Sequence, residues 1–155
     1  AAFGIRQLVD IASKALSPAV NDPYTAVQAI DRLSVIVATL ACRPLGTVVL
    51  AKASGSVTVP AYDFADYLEL VCAQIRRYGA PEPIVATAVI ELLGTAADAV
   101  TIESAERYGA IERQLTLILA DSERSVEQPA DVESVRRGVG QLQARLHAHG
   151  VKHAP

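Results

Sequence analysis

Charged and amide side chains are concentrated in the first part of the chain, between Phe3 and Leu33. A carboxylate in such a cluster could act as a general base, and an arginine could bind a carboxylate or phosphate through two parallel hydrogen bonds. The N–H groups at the start of a helix would also favour an anion, although Asp22 at the same helix end would repel one. The candidate ligand-binding residues are Arg6, Asp10, Asn21, Asp22, Thr25 and Asp31.

The same residues also fit a purely structural role. Asn and Asp side chains close turns and cap helices, and Arg6 could bond the loop carbonyls and Asp10, joining the first two helices. A cation site built from the three aspartates is a further alternative, but the spacing of an acidic calcium loop is missing. The alternative function is an enzyme acting on a small anionic or lipid-derived substrate, with Asp10 or Asp22 as base in an open pocket.

Other sequence features give little support for catalysis. The sequence contains no GxSxG, HExxH or glycine-rich phosphate-binding motif, and we predict neither a catalytic residue, a metal nor a cofactor. Cys42 and Cys72 lie on apolar helical faces, which predicts buried free thiols. Three histidines near the C-terminus are more typical of a frayed tail than of a zinc site: His147, His149 and His153. A non-catalytic domain that serves assembly or small-ligand sensing is therefore the first hypothesis.

The composition favours packed helices and excludes some partners. Of the 155 residues, 51% are hydrophobic but only 5% aromatic, which suits aliphatic helices better than aromatic-rich strands. The formal net charge of -3 argues against nucleic acid and against electrostatic docking on anionic lipid. The mean hydropathy of +0.28 is high for a soluble domain, so part of the surface is expected to be covered by something else.

Apolar periodicity predicts an all-α fold: a compact bundle of about six helices in one domain, residues 1–155, with a small β-hairpin between helices 2 and 3. Asp22 and Asp63 suit helix N-caps, and Gly79 suits a left-handed C-cap. No apolar run is long enough to predict a transmembrane helix. The predicted elements are helices over about 3–16, 23–42, 64–79 and 103–122, a fourth helix that opens at Pro81-Glu82-Pro83 and whose extent over 94–100 is left open, a hairpin within 45–60, and a sixth helix after Pro129 capped by Asp131.

The sixth predicted helix carries a seam of apolar residues at alternating three- and four-residue spacing. This pattern is typical of a helix packed lengthwise against another, so a homo-oligomer formed through the last helix is possible. The seam residues are Val132, Val135, Val139, Leu142 and Leu146.

Three motifs resemble a known family: FGIRQLVDIASKALSPAVNDPYTAVQAIDRL from Phe3, QIRRYG from Gln74 and AIERQL from Ala110. Over essentially the whole chain, the sequence is similar to a bacterial family of predicted multi-pass membrane proteins, domain of unknown function 2254. The resemblance implies a helical, cytoplasmic region at the cell membrane, tethered to the membrane-spanning part of its own polypeptide. It implies no catalytic residues. The family usually has glycine where this chain has Ala19, so a positive φ there would strain the loop.

Overall fold

The computed structural model describes residues 2–52, 55–101 and 105–151. The predicted all-α fold, with a hairpin between helices 2 and 3, is confirmed. The predicted turn of the hairpin covers 53–56; residues 53–54 lie outside the described residues, and Gly55 and Ser56 belong to the second strand instead. The predicted start of helix 5 at Glu103 also lies outside the described residues. The elements in chain order are α1 (Ala2–Ala15), α2 (Pro23–Ala41), β1 (Val48–Lys52), β2 (Gly55–Val59), α3 (Phe64–Gly79), α4 (Pro83–Asp98), α5 (Ala105–Ser125) and α6 (Pro129–Val151).

Local side-chain chemistry sets most of the helix starts. Asp22 caps α2 with Pro23 as the first helical residue, as predicted. Asp63 and Asp66 form a reciprocal capping box at α3, with N–O distances of 2.8 and 3.1 Å. The predicted cap of α6 is wrong, because this helix begins at Pro129, two residues before Asp131. Proline fits the first helical position, where its missing N–H costs nothing.

Helix α4 lies at the centre of the bundle and packs against α2, α3, α5 and α6. It is apolar nearly all round because every neighbour buries a different face of it. The apolar seam of α6 packs on α4 and α5 of the same chain, and its residues Val135, Val139, Leu142 and Leu146 are buried there. Dimerisation through α6 stays a prediction and would have to use the outer face of that helix.

Backbone conformation in the turns departs from two expectations. Among the described residues, positive φ occurs only at Asn21, at 49°, and at Gly46, at 102°. The strain expected at Ala19 is therefore absent. The left-handed residue of this loop is Asn21 instead, and asparagine tolerates that conformation. Gly79 is likewise not a left-handed cap. A Cβ atom there would lie 2.5 Å from Cγ1 of Val85, so this glycine permits close packing of α3 on the start of α4.

The hairpin stands away from the helices. β1 and β2 pair antiparallel, with Val48 opposite Val59 and Leu50 opposite Val57. Since cross-strand partners share a face, these four side chains form one apolar face, and each is between 44% and 62% exposed. At the base of the hairpin the Gly46 N–H donates to the carbonyl oxygen of Tyr62 over 3.1 Å.

The two cysteines differ in environment. Cys72 is fully buried, as expected, and burial raises the pKa of its thiol to about 12. Cys42 is exposed, so the prediction of burial was wrong for this residue. It lies at the C-cap of α2, one residue beyond the last buried position of the helix, and its thiol donates to the Thr39 carbonyl over 3.2 Å. Both thiols are free.

None of the helices in the described ranges combines the length and the apolar character needed to cross a bilayer.

Candidate functional site

The loop between α1 and α2 folds back on the end of α1. The Asp22 N–H donates to the Ala15 carbonyl over 2.8 Å, and the Asn21 N–H donates to the Ser17 carbonyl over 2.9 Å. The Asp22 carboxylate accepts the Thr25 hydroxyl over 2.6 Å and the Thr25 N–H over 3.0 Å. These two bonds lower the pKa of Asp22 below its ordinary value. At neutral pH Asp22 is therefore an ionised cap with both oxygens engaged, which is poorly suited to a general base.

Arg6 makes a different contact from the expected one. Its side chain is exposed, and Nη2 donates to the Tyr62 hydroxyl over 2.8 Å. In the described part of the chain, no hydrogen bond or ion pair joins Arg6 to Asp10 or to the loop. The reason is that α1 also packs against α3, and Tyr62 lies just before that helix. Arg6 thus links α1 to the base of the hairpin, where the Tyr62 and Tyr67 rings are 5.3 Å apart.

Two of the six candidates, Thr25 and Asp31, line an open groove of about 430 Å³ between α1 and α2. The other four lie outside its lining. Its wall combines apolar side chains with a polar rim, so it could accept a small amphipathic molecule. The lining residues are Leu8, Ile11, Thr25, Gln28, Ala29, Asp31 and Arg32. The ligand-binding role of the six candidates stays a prediction.

A second open groove, of about 570 Å³, runs between α4 and α6. Asp98 and Arg145 form an exposed ion pair at this groove, which salt would screen. A Cβ atom at Gly138 would lie 3.5 Å from Ile90, an ordinary contact, so glycine is not required for these helices to approach. The charged and small residues of the groove are Glu91, Gly94, Asp98, Arg137, Gly138 and Arg145.

The QIRRYG motif contributes an ion pair that links α3 to α5. The Arg76 guanidinium pairs with Asp121, and these two side chains are only 12% and 17% exposed. Asp121 also pairs with Arg124 on its own helix. Nearby, Gln114 donates to Glu69 over 2.9 Å. Arg76 is therefore engaged in helix packing, and an anion at this place would have to compete with the Asp121 carboxylate.

Sequence reasoning missed Arg107, which is 8% exposed on α5. Its guanidinium donates to three carbonyl oxygens at and just after the end of α2, those of Leu40, Ala41 and Arg43. It also lies over the Phe64 ring, 5.4 Å from the centroid. A cation here complements the negative end of the helix dipole. The sequence does contain a sign that Arg107 faces inward. It precedes the buried Ile111 by one helical turn, so the two side chains lie on the same face of α5.

Within the described ranges, no three histidine, cysteine, aspartate or glutamate side chains are grouped so that they could hold a metal ion. His147 lies on α6, 3.3 Å from a carboxylate oxygen of Glu112. The side chain of His149 and the whole of His153 lie outside the described part.

The chain is similar to proteins of mycobacteria. It is 43% identical over 131 residues to an uncharacterized protein of Mycobacterium bovis and, to the same extent, to uncharacterized proteins of two strains of Mycobacterium tuberculosis. The matched segment is 83% of this chain but 25% of each relative, so the chain spans about a quarter of the length of these curated relatives. No solved structure matches it significantly.

A family model described as "predicted membrane protein" matches residues 1–95, which comprise α1, α2, the hairpin, α3 and most of α4. This match covers more than half of the chain and includes the whole polar segment from Phe3 to Leu33. The chain therefore belongs to the DUF2254 family of predicted membrane proteins.

Proposed function

We propose that the chain is a non-catalytic assembly domain of a longer membrane protein, on the cytoplasmic side and tethered to the membrane-spanning part of its own polypeptide. One observation carries this proposal: the buried core is built almost entirely from helix residues, whereas the four apolar side chains on one face of the hairpin are all exposed. A two-stranded hairpin is marginally stable alone in water, so an exposed apolar face on it suits a contact surface. The family of predicted membrane proteins supplies the setting.

The alternative, an enzyme using Asp10 or Asp22 as base, finds less support. Asp22 has both carboxylate oxygens engaged by Thr25. Asp10 is exposed and lies outside the lining of the groove between α1 and α2. A base requires a pocket that holds the substrate within hydrogen-bond distance, and neither residue has one among the grooves described above.

Small-ligand sensing is the second candidate, because the groove between α1 and α2 contains both Asp31 and Arg32. A thermal-shift series with small carboxylates and amines tests it. A ligand that binds the folded state raises the melting temperature, and the rise grows with the logarithm of the ligand concentration above the Kd; it should be lost in Arg32→Ala for an anion or in Asp31→Ala for a cation. If no compound raises the melting temperature, or if both variants respond like the parent, the groove is not a sensing site.

Proteolysis of the full-length protein tests the assembly proposal. Lys52 is the only trypsin site between Arg43, which precedes Pro44, and Arg76. An exposed hairpin is a preferred place for nicking, so the isolated 155-residue chain should be cut at Lys52 rapidly. In unsealed membrane fragments that hold the full-length protein, cleavage there should be at least about tenfold slower if the hairpin is covered. Lys52→Gln identifies the cut, and equal cleavage rates would refute the assembly role.

Orientation is tested separately at a site away from the hairpin. Ser134 is exposed on α6, so Ser134→Cys offers a thiol to a membrane-impermeant maleimide. Mass spectrometry of the labelled peptide should find the modification in inverted vesicles and not in intact cells. The opposite pattern would place this region on the outer side of the membrane.

A further inference from the structure

We propose that the apolar face of the hairpin inserts into the surface of an anionic lipid bilayer. For this inference the hairpin face is defined as Val48, Leu50, Val57 and Val59. It rests on the proposed function, because it names the partner of the surface assigned there to assembly. Three observations carry it: the composition of the face, the distribution of the charges around it, and the membrane setting of the family.

The hairpin face is apolar and continuous. The register places Val48 beside Val59 and Leu50 beside Val57, so the four side chains are neighbours on one side of the ribbon. All four are between 44% and 62% exposed, and neither strand packs extensively on a described helix. A contiguous apolar face of this kind beside a packed helical bundle is the pattern of a surface that meets another apolar phase.

The charges near the hairpin differ between its two ends. From residue 44 to residue 62 the only charged residue is Lys52, the last residue of β1, whereas the acidic Asp63 lies beside Gly46 at the base. The formal net charge of -3 argues against charge-driven docking of the whole chain on anionic lipid, so the apolar face would supply the affinity and the charges would set only the orientation. An anionic membrane attracts basic residues near its surface and repels acidic ones, which would turn the Lys52 end of the hairpin toward the lipid and the Asp63 end away from it.

The setting brings a bilayer within reach. The chain belongs to a family of predicted membrane proteins and spans about a quarter of the length of its curated relatives. No described helix is itself able to cross a membrane. A region tethered beside a membrane needs only weak lipid affinity of its own, because the tether supplies a high effective concentration. Four partly exposed aliphatic side chains are a suitable source of such weak affinity.

Sedimentation with lipid vesicles tests the proposal on the 155-residue chain. The probe is vesicles of phosphatidylglycerol and phosphatidylcholine in equal parts. The variant is Leu50→Thr with Val57→Thr, which replaces one cross-strand pair on the hairpin face and keeps residues that favour strands. The matched control is Val35→Thr with Val49→Thr, two similarly exposed residues on α2 and on the opposite side of the hairpin. We expect the first pair to lower the partition coefficient by about tenfold and the control pair to change it by less than about twofold.

The absence of tryptophan from the sequence allows a second readout that does not depend on the stability of a double variant. Leu50→Trp places one indole on the hairpin face, and Val35→Trp places one on α2. With the same vesicles, the emission of the Leu50→Trp chain should shift to shorter wavelength and become shielded from an aqueous quencher. The emission of the Val35→Trp chain should change in neither respect.

Three results would overturn the inference. The first is the absence of vesicle binding by the parent chain, and the second is an equal loss of binding in both double variants. The third is a Leu50→Trp emission already shifted without lipid in a chain that light scattering shows to be dimeric, since a second copy would then cover the face. If Lys52 is protected in full-length membranes but the isolated chain binds no vesicles, the assembly role stands and its partner is protein. If Lys52 is cut equally fast in both, the assembly role itself fails.

Discussion

At the scale of single residues, the polar segment from Phe3 to Leu33 performs several separate tasks. Asp22 caps a helix, Asn21 takes up a left-handed backbone conformation, and Arg6 reaches the Tyr62 hydroxyl. Of the six candidates, Thr25 and Asp31 line the groove between α1 and α2. The concentration of polar residues in this segment thus has two structural reasons: the turn between α1 and α2 must be closed, and α1 must contact both α2 and α3.

The cap at Asp22 leads to a prediction on pH and stability. Asp22→Ala should lower the melting temperature at neutral pH, whereas Asp22→Asn, which can still cap, should lower it less. Since hydrogen bonds from Thr25 lower the pKa of Asp22, its stabilisation is present above the ordinary carboxyl pKa and is lost as the pH falls through the lowered value. Thermal unfolding from pH 7 down to pH 2 measures this.

In that titration, the gap between the parent chain and Asp22→Ala should narrow toward the acid end. A gap that stays constant with pH would mean that the ionised carboxylate does not contribute through the cap.

What the sequence predicted at this scale depended on how far apart the interacting residues are. Asp22 and Thr25 are three positions apart, so the chemistry of one helix end determines the contact. Arg6 and Tyr62 are separated by 56 positions, and their contact exists only because α1 packs on α3. No local pattern contains that information, and the expected bond between Arg6 and Asp10 was the nearest local substitute for it.

At the scale of helices and strands, Arg107 connects three parts of the fold. It belongs to α5, its hydrogen bonds hold the end of α2, and its guanidinium covers the ring of Phe64 at the start of α3. The Arg43 carbonyl that it holds lies on the way to the hairpin. The stability of the helix end and the position of the hairpin base therefore depend on the same side chain.

Replacement of Arg107 should be costly. Arg107→Met keeps much of the side-chain volume but leaves buried carbonyl oxygens without donors, so the free energy of unfolding should fall by about 2–5 kcal/mol. Chemical denaturation measures this value. Arg113→Met, an exposed arginine on the same helix, is the control and should change it by less than about 0.5 kcal/mol. Similar losses in the two variants would show that Arg107 has no special role.

A second pair of variants tests the packing of α3 on α4. Gly79→Ala would put a Cβ atom 2.5 Å from Cγ1 of Val85, an impossible distance, so the helices must separate or the valine must move. We expect a loss of about 1–3 kcal/mol in the free energy of unfolding. Gly109→Ala on α5 meets no atom within 4 Å and should instead stabilise by up to about 1 kcal/mol, since alanine is the better helix former. Denaturant titrations should therefore give opposite signs, and equal signs would contradict the packing argument.

The elements themselves were largely predictable, because the period of apolar residues changes from helical to alternating at the hairpin and back again. The start of α6 was misplaced, since Pro129 and Asp131 are both acceptable near a helix start and sequence alone did not rank them. The seam on α6 showed which face of the helix is apolar, but periodicity does not say whether the covering helix belongs to the same chain. In the structure, α4 and α5 of this chain cover it.

At the scale of the whole molecule, the family match and the core have different extents. The family model matches residues 1–95, whereas the core also contains Ile111, Leu115 and Ile118 of α5 and the seam of α6. Helix α4 is apolar on the sides that these two helices cover. The segment that matches the family model therefore needs α5 and α6 to complete its hydrophobic core.

Shortening the chain tests this dependence. A chain that ends at residue 101 would expose the faces of α3 and α4 that α5 and α6 bury. We expect it to lack a cooperative thermal transition in circular dichroism and to bind a dye that reports exposed apolar surface. A chain that ends at residue 151 keeps every described element and should melt like the parent. A cooperative transition in the shorter chain would show that the first four helices fold without the last two.

The attachment of the hairpin has a consequence for local opening. The contacts described for the hairpin are at its base, through Gly46 and Tyr62, and within the described residues the strand backbones hydrogen-bond only to each other. Such a ribbon is a separate cooperative unit, which can break and re-form its ladder while the six helices stay packed. Whatever covers the apolar face adds its binding free energy to this unit first. The amide hydrogen exchange rates of the hairpin should then depend on what the protein contacts, whereas those of the helices should depend only on the packing of the helices against each other.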